Sequence, residues 1–310
     1  MPILLWSKRH YVLHIFCTFA NDMGQVATTL DEQIELLTQR GMTIVDIEKA
    51  KEVLYDVGYY RLGFYWHPFE IKRNDGLHQF KNGSSFDDAV KLYYFDYELR
   101  NLLIKYITRI EVKFRTLLVY IVSNKYKKVP TWFVSPKVVN DSFIATFDSK
   151  VYTAKFKSTK VIAAHHKKYI NDRYAPAWKT IEFMTLGSNI ALYKALLDID
   201  LKKSISSEFG INYTNVFENY MDVVLCVRNA CAHGSVLYDI PLYPLVRKGP
   251  AGVNGNENYK LNGAIKVKRY MLGCVSTNRV NDFDRELSQV VAKYSITPET
   301  KKILTTISGF

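Results

Sequence analysis

Cysteine is scarce in this chain: Cys17, Cys226, Cys231 and Cys274 are the four among 310 residues. None stands in a C-x-x-C pair, and so few cysteines suit a reducing cytoplasm better than a disulfide scaffold. Cys226, Cys231 and His233 lack the fourth ligand and the spacing of a zinc site, so both thiols are expected in the core. No apolar run reaches the length of a membrane span. Residues 1–20 have some apolar character, but "SKRH" interrupts it and no clean small-residue cleavage site follows, so a signal peptide is not expected. There is no glycine-rich phosphate loop and no pair of metal-binding carboxylates, which speaks against an NTPase or a metal-dependent nuclease. No metal and no cofactor are expected. Strand-type alternation is weak and no internal repeat is present.

What remains is an ordinary globular composition, 48% hydrophobic and 23% charged, long enough for one large domain or two modest ones. Aromatic residues are dense, with 22 Tyr and 17 Phe. The net charge of +12 and pI near 9.3 draw the chain to polyanions, either nucleic acid or an anionic membrane.

Helical periodicity starts at Thr29, where "TLDE" (29–32) is a capping-box pattern and Gly41 a stop. A second helix starts at Asp46, carries Ile47, Ala50, Val53, Leu54 and Val57, and meets Gly58. "GYYRLGFYWHPFE" (58–70) is an aromatic knot closed by Pro68, and "KRNDG" (72–76) a loop. Ser85 caps the longest periodic segment, to about Tyr126, with Phe86, Leu92, Phe95, Leu99, Leu102, Leu103, Tyr106, Ile110, Leu117 and Ile121 as its stripe. Residues 150–173 read as one helix with seven Lys/Arg and a single acid, Asp172. Further helices are expected at about 177–186, stopped by Gly187, then 189–198, 201–209 and 214–232. "RKGPAGVNGNENYKLNG" (247–263) reads as a loop, followed by short helices near 282–294 and 298–307, the last opened by Thr297 and Pro298. The expected class is all-α.

The stretch "VRNACAHG" (227–234) crowds an arginine, an amide and a histidine into the end of an apolar helix pattern. Asn229 and His233 are four residues apart and share a face. Arg228 and His233 are five apart, about 140° around the axis, and converge only if the helix loosens or the arginine wraps around it. Gly234 is the residue type that ends a helix in a left-handed conformation, which sets His233 in or just past the last turn. Arginine offers a planar fork suited to phosphate, and histidine a proton donor or acceptor near neutral pH. Together they suffice to cleave RNA without metal. A base takes the 2′-hydroxyl proton and the oxygen attacks phosphorus, leaving a 2′,3′-cyclic phosphate and a 5′-hydroxyl. A histidine at a helix C-terminus is favoured in its charged form, which suits a general acid, so two facing copies would divide the roles. The same residues also occur at helix ends simply to satisfy the last carbonyls.

Several stretches resemble the Abi-like (AbiD/AbiF-type) abortive-infection family of the HEPN superfamily. They are "DEQIELLTQRGM" (31–42), "VGYYRLGFYWHPF" (57–69), "LYYFDYELRNLLIKYITRIEVKFR" (92–115), "PAWKTIEFMTLG" (176–187) and "RNACAHGSVLYD" (228–239), in the family's order. The resemblance implies a HEPN-like helical bundle with a long central helix and extra N- and C-terminal helices. It implies a phage-defence endoribonuclease with Arg228, Asn229 and His233 as catalytic residues. It further implies a homodimer, because such nucleases bring two motifs together and this chain holds one credible copy. RNA, as target or associated small RNA, is the expected partner, with an antitoxin or phage trigger in some members. "TLG" before Ser188 and Asp239 depart from the usual Ser-Phe-Gly and Asn. The pattern begins near Met23, so 1–28 is expected to be an extension, 29–245 the helical domain, and 246–310 a loop and helices packed on it. The contrasting expectation is a non-catalytic RNA- or protein-binding regulator.

Other residues carry weaker signals. Arg61 in the aromatic knot could sit on phosphate beside stacked bases, although such dense aromatics are more often core. Glu111 and Arg115 are spaced to pair on the long helix, by default as an exposed salt bridge; the resemblance makes them, with Arg109 and with Tyr238 from the terminal motif, cleft candidates. Lys155, Lys157, Lys167 and Lys168 form an electrostatic track for an RNA backbone or a solvated basic face.

Overall fold

A computed structural model describes residues 26–71, 78–294 and 297–309. Among them the chain is all-α, with isolated β-bridges only. It divides into two compact units: residues up to Phe95 with Tyr294–Ile303, and Asp96–Lys293 with the residues from Leu304 onward. The segments 1–25 and 72–77, including Cys17 and the expected loop at 72–76, lie outside the described residues.

The first unit is built from α1 (Leu30–Gln39), α2 (Ile47–Val57), α3 (Tyr59–Trp66) and the start of α4 (Phe86–Lys125). The capping box is as the spacing requires: Glu32 N–H donates to Thr29 Oγ1 at 3.3 Å and Thr29 N–H to Glu32 Oε2 at 2.7 Å. Asp46 caps α2 through Lys49 N–H at 2.9 Å. The helix stops at Gly58, whose φ of 91° an L-side chain would strain. The aromatic knot is mostly core: Leu62, Tyr65, Trp66 and Phe69 are buried, and Tyr65 meets Tyr93 edge-on at 5.3 Å.

In the second unit the rest of α4 buries Leu99, Leu103, Ile107, Ile110, Phe114, Leu118 and Val122. The expected Leu117 and Ile121 are only half-buried, because the buried stripe drifts one residue along the helix toward its end. α5 (Asp141–Lys150), α6 (Ala154–Lys157) and α7 (Lys160–Lys168) replace the single helix expected over 150–173. The chain breaks because Thr153 caps α6 through Phe156 N–H at 3.3 Å and Tyr152 turns into an aromatic cluster with Phe147 and Tyr174. Then follow α8 (Ala177–Phe183), α9 (Leu186–Ala195), α10 (Ile199–Ser207) and α11 (Thr214–Ala232). Gly187 lies inside α9 and stops nothing, since Thr185 caps that helix by accepting Ser188 N–H at 3.1 Å. Phe114 on α4 meets Phe217 on α11 at 5.9 Å, and Tyr193 meets the same ring at 5.2 Å.

α12 (Leu261–Gly273) was not expected, and it packs on α11. Its first turn carries Gly263 in a run that reads as loop. Glycine is there for room: a Cβ would stand 2.1 Å from the Glu257 carbonyl oxygen of a preceding 3₁₀ turn. α13 (Thr277–Tyr294) belongs to the second unit up to Lys293, and α14 (Pro298–Ile303) to the first.

Lys268 of α12 is 3% exposed, and its Nζ lies 3.1 Å from the centre of the Phe283 ring with no hydrogen-bond partner among the described residues. Burial pushes its pKa well down, against the pull of Cys231, Asp284 and Glu286.

Two outcomes follow. Gly263→Ala should lower the unfolding free energy by about 1–3 kcal/mol in chemical denaturation, as overpacking does. For Lys268, a depressed folded pKa means that the unfolded chain binds more protons between that pKa and about 10.4. Stability should therefore rise with pH across that window, by about 1.4 kcal/mol per unit. Lys268→Met should be more stable than wild type at neutral pH, and its advantage should shrink as pH approaches 10.4.

Candidate functional site

The stretch with which α11 ends is held by its own backbone. The helix buries Phe217, Tyr220, Val223, Val224, Val227 and Ala230 and continues regularly to Ala232. His233 is the C-cap, and its N–H reaches Asn229 O at 3.0 Å. Gly234 follows at φ 64°. Its N–H reaches Cys231 O at 3.4 Å and Ser235 N–H reaches Ala230 O at 3.0 Å, the paired bonds of a Schellman motif. Gly234 thus ends the helix as its residue type requires, and His233 stands at the last turn with its side chain exposed.

Arg228 and Asn229 are half-buried one turn earlier, and Arg228 Nη1 donates to Asn229 Oδ1 at 3.3 Å. The helix does not loosen to bring Arg228 onto His233. Among the described residues the arginine's hydrogen bond is to the amide, and the His233 ring makes none.

The chain beyond His233 is fastened to α4. Asp96 is fully buried, and its carboxylate accepts Leu237 N–H at 3.0 Å and Tyr238 N–H at 2.6 Å. It also pairs with Arg100 one turn along the same helix, and Arg100 Nη1 donates to Ser235 O at 3.2 Å. Ser308 Oγ donates to Tyr238 O at 2.7 Å from the other side. Two backbone donors and a guanidinium satisfy a charge that would otherwise be costly to bury. Neither Asp96 nor Arg100 was assigned a role from the sequence. The signal was available: an acid and a base at i, i+4 among Phe95, Leu99, Leu102 and Leu103 cannot both reach solvent from a buried stripe.

The clamp corrects one expectation. Tyr238 is not at a cleft; drawn in by Asp96, it is only 3% exposed. The Glu111–Arg115 pair also differs from the expected exposed bridge. It closes at 2.8 Å with side chains 15% and 13% exposed, and Arg115 reaches Glu182 on α8 at 3.5 Å. Arg109 is exposed. These residues do not join Arg228 and His233. Asp96, which holds the loop after His233, is about 22 Å along α4 from Glu111 at 1.5 Å per residue. Phe114, beside them, packs on Phe217 near the opposite end of α11. Arg61 belongs to the first unit, where its guanidinium lies 5.9 Å over Tyr93. Lys155, Lys157, Lys167 and Lys168 are exposed on α6 and α7.

Cys231, between Arg228 and His233, is half-buried; burial and the neighbouring Asp96 push its thiol up to about 12. Burial raises Cys226 as well. Both stay protonated at neutral pH and are poor nucleophiles and metal ligands there. Among the described residues no group of three or more His, Cys, Asp or Glu side chains is arranged to hold a metal ion, and no helix is long and apolar enough to cross a membrane.

Fold and site together define an all-α protein whose distinctive polar residues sit at one helix C-terminus, anchored on a long helix. Residues 52–239, more than half of the chain, match the family described as Abi-like protein, and the chain belongs to that family. Membership associates it with abortive infection, a defence against phage. No curated protein and no solved structure matches the chain.

Asp96→Ala should lower the unfolding free energy by about 3–5 kcal/mol, since it strands Arg100 as an uncompensated buried charge. Asp96→Asn, which keeps an acceptor for one backbone N–H, should cost less. Chemical denaturation of both variants measures the difference.

Proposed function

We propose that this protein is a HEPN-type, metal-independent RNA endonuclease of the AbiD/AbiF kind, acting in the cytoplasm as the effector of abortive infection. The observation that supports this reading most is the polar group at the end of α11: Arg228 hydrogen-bonded to Asn229, with an exposed His233 ring one turn on. Arg228 holds the scissile phosphate through its fork, and Asn229 orients the guanidinium. His233 moves the proton. One histidine removes the 2′-hydroxyl proton as that oxygen attacks phosphorus. The P–O5′ bond breaks, and a second histidine returns a proton to the 5′ oxygen. A chain with one such motif needs a second copy for the second histidine, so the active form is a homodimer with a composite site. An associated small RNA, an antitoxin or a phage component would hold or release its activity.

The test uses purified wild-type protein and the Arg228→Ala/His233→Ala variant with total bacterial RNA in EDTA, followed by mapping of the ends. Wild type should cut and leave 2′,3′-cyclic phosphates. His233→Ala alone should reduce the rate by about 10²–10⁴, the usual contribution of general acid–base catalysis. Equal cleavage by wild type and the double variant would remove these residues from the chemistry. RNA binding without any cleavage, even in phage-infected lysate, would leave a binding regulator instead.

A further inference from the structure

The lysine-rich segment is not a generic solvated face. Between residues 149 and 181 the only acid is Asp172, against eight Lys/Arg. That acid lies past the end of α7, where His165, buried in the helix, contacts it at 3.1 Å. The preceding acid, Asp148, is taken by Arg173 at 2.7 Å. Lys155, Lys157, Lys160, Lys167 and Lys168 are all exposed, and among the described residues none forms an ion pair. Lys157 and Lys168 instead stand over aromatic rings, 5.6 Å from Tyr152 and 5.3 Å from Tyr169.

The platform beneath is tied together by hydrogen bonds and ring contacts. Tyr152 OH accepts Ala175 N–H at 2.7 Å and pairs with His166 Nε2 at 3.0 Å. Its ring packs on Phe147 and Tyr174. α7 turns Ile162 and His165 inward and presents Lys160, Ala163, Ala164, Lys167 and Lys168 outward. Lys160 and Lys167 are two turns apart, about 10 Å along the helix. A solvated helix ordinarily mixes both signs of charge; this face has small residues, cations and no acid.

We infer that the outer faces of α6 and α7 form a docking surface for the phosphate backbone of RNA, on helices other than α11, whose end carries the cleavage residues. The choice of RNA over another polyanion rests on the nuclease reading above. An anionic membrane fits less well: insertion needs a continuous apolar face. The exposed Val161 stands in the first turn of α7 and the exposed Ile170 lies two residues past its end, and together they form none. Recognition through phosphates alone is independent of base sequence.

The experiment measures binding of fluorescent RNAs of two unrelated sequences by anisotropy, between about 50 and 200 mM salt, on a His233→Ala background. Three proteins are compared: the parent, Lys155/Lys157/Lys167/Lys168→Gln, and a charge-matched control, Lys127/Lys248/Lys301/Lys302→Gln. The platform variant should bind both RNAs roughly tenfold or more weakly, with a salt slope shallower by about 2–3, since each lost single-strand contact removes about 0.7. The control should bind nearly as the parent does. Equal weakening of the control would reduce the effect to net charge and overturn the proposal. So would unchanged binding by the platform variant. Failure of the parent to bind RNA while it binds phosphatidylglycerol vesicles would overturn it in favour of a membrane. Cleavage by His233-intact protein is scored separately, so binding through the platform without cleavage, even in phage-infected lysate, would sink the nuclease reading and leave the docking surface standing.

Discussion

A buried carboxylate at Asp96 receives two backbone N–H groups from the chain just past His233 and a guanidinium from its own helix. The free-energy balance of such a group is asymmetric: complete, it costs little net; missing a partner, it is among the most destabilising features a core can hold. The segment 235–238 therefore has one low-energy course, and that course fixes where α11 can end. The Schellman turn at Gly234 works from the other side by satisfying the last helix carbonyls locally. His233 is caught between these two constraints. An exposed residue at a helix C-terminus would otherwise be free to fray; here its backbone lies between two sets of hydrogen bonds.

The charge of the chain is organised in a comparable way. A net +12 says little by itself, because most lysines could answer acids across a helix. In the second unit several do so: Lys105 with Glu286, Lys194 with Asp222, Lys293 with Glu98. The α6–α7 surface stands apart because its nearby acids are committed elsewhere. One lysine has gone the other way: Lys268 is inside, against the Phe283 and Tyr106 rings. Such a residue lowers stability in its charged form.

Local signals were dependable where a single residue type has a single physical use. Thr29 with Glu32, Asp46, Gly58 and Gly234 set helix ends by capping or by tolerating a left-handed backbone, and the ends fall there. Signals failed where a residue's use depends on a distant neighbour. Gly263 looks like loop, yet it is helical, because only the Glu257 carbonyl pressing on it explains its lack of a side chain. Gly187 looks like a stop and lies inside α9 against Leu225. The Lys/Arg-rich run over 150–173 reads as one helix, while the pull of Tyr152 into the Phe147 and Tyr174 cluster breaks it.

The residues at the end of α11 were legible from spacing and residue chemistry, as were the all-α class and the family likeness, since each depends on neighbours within a few turns. The partnership of Asp96 and Arg100 with residues 235–238 was not, although its members stand in the same quoted motifs. A carboxylate on one helix and two amides some 140 residues later carry no local mark of one another. Sequence alone determined what chemistry the chain carries. Tertiary structure decided which of those groups are buried, paired or presented, because desolvation and hydrogen-bond satisfaction are settled only when distant segments meet.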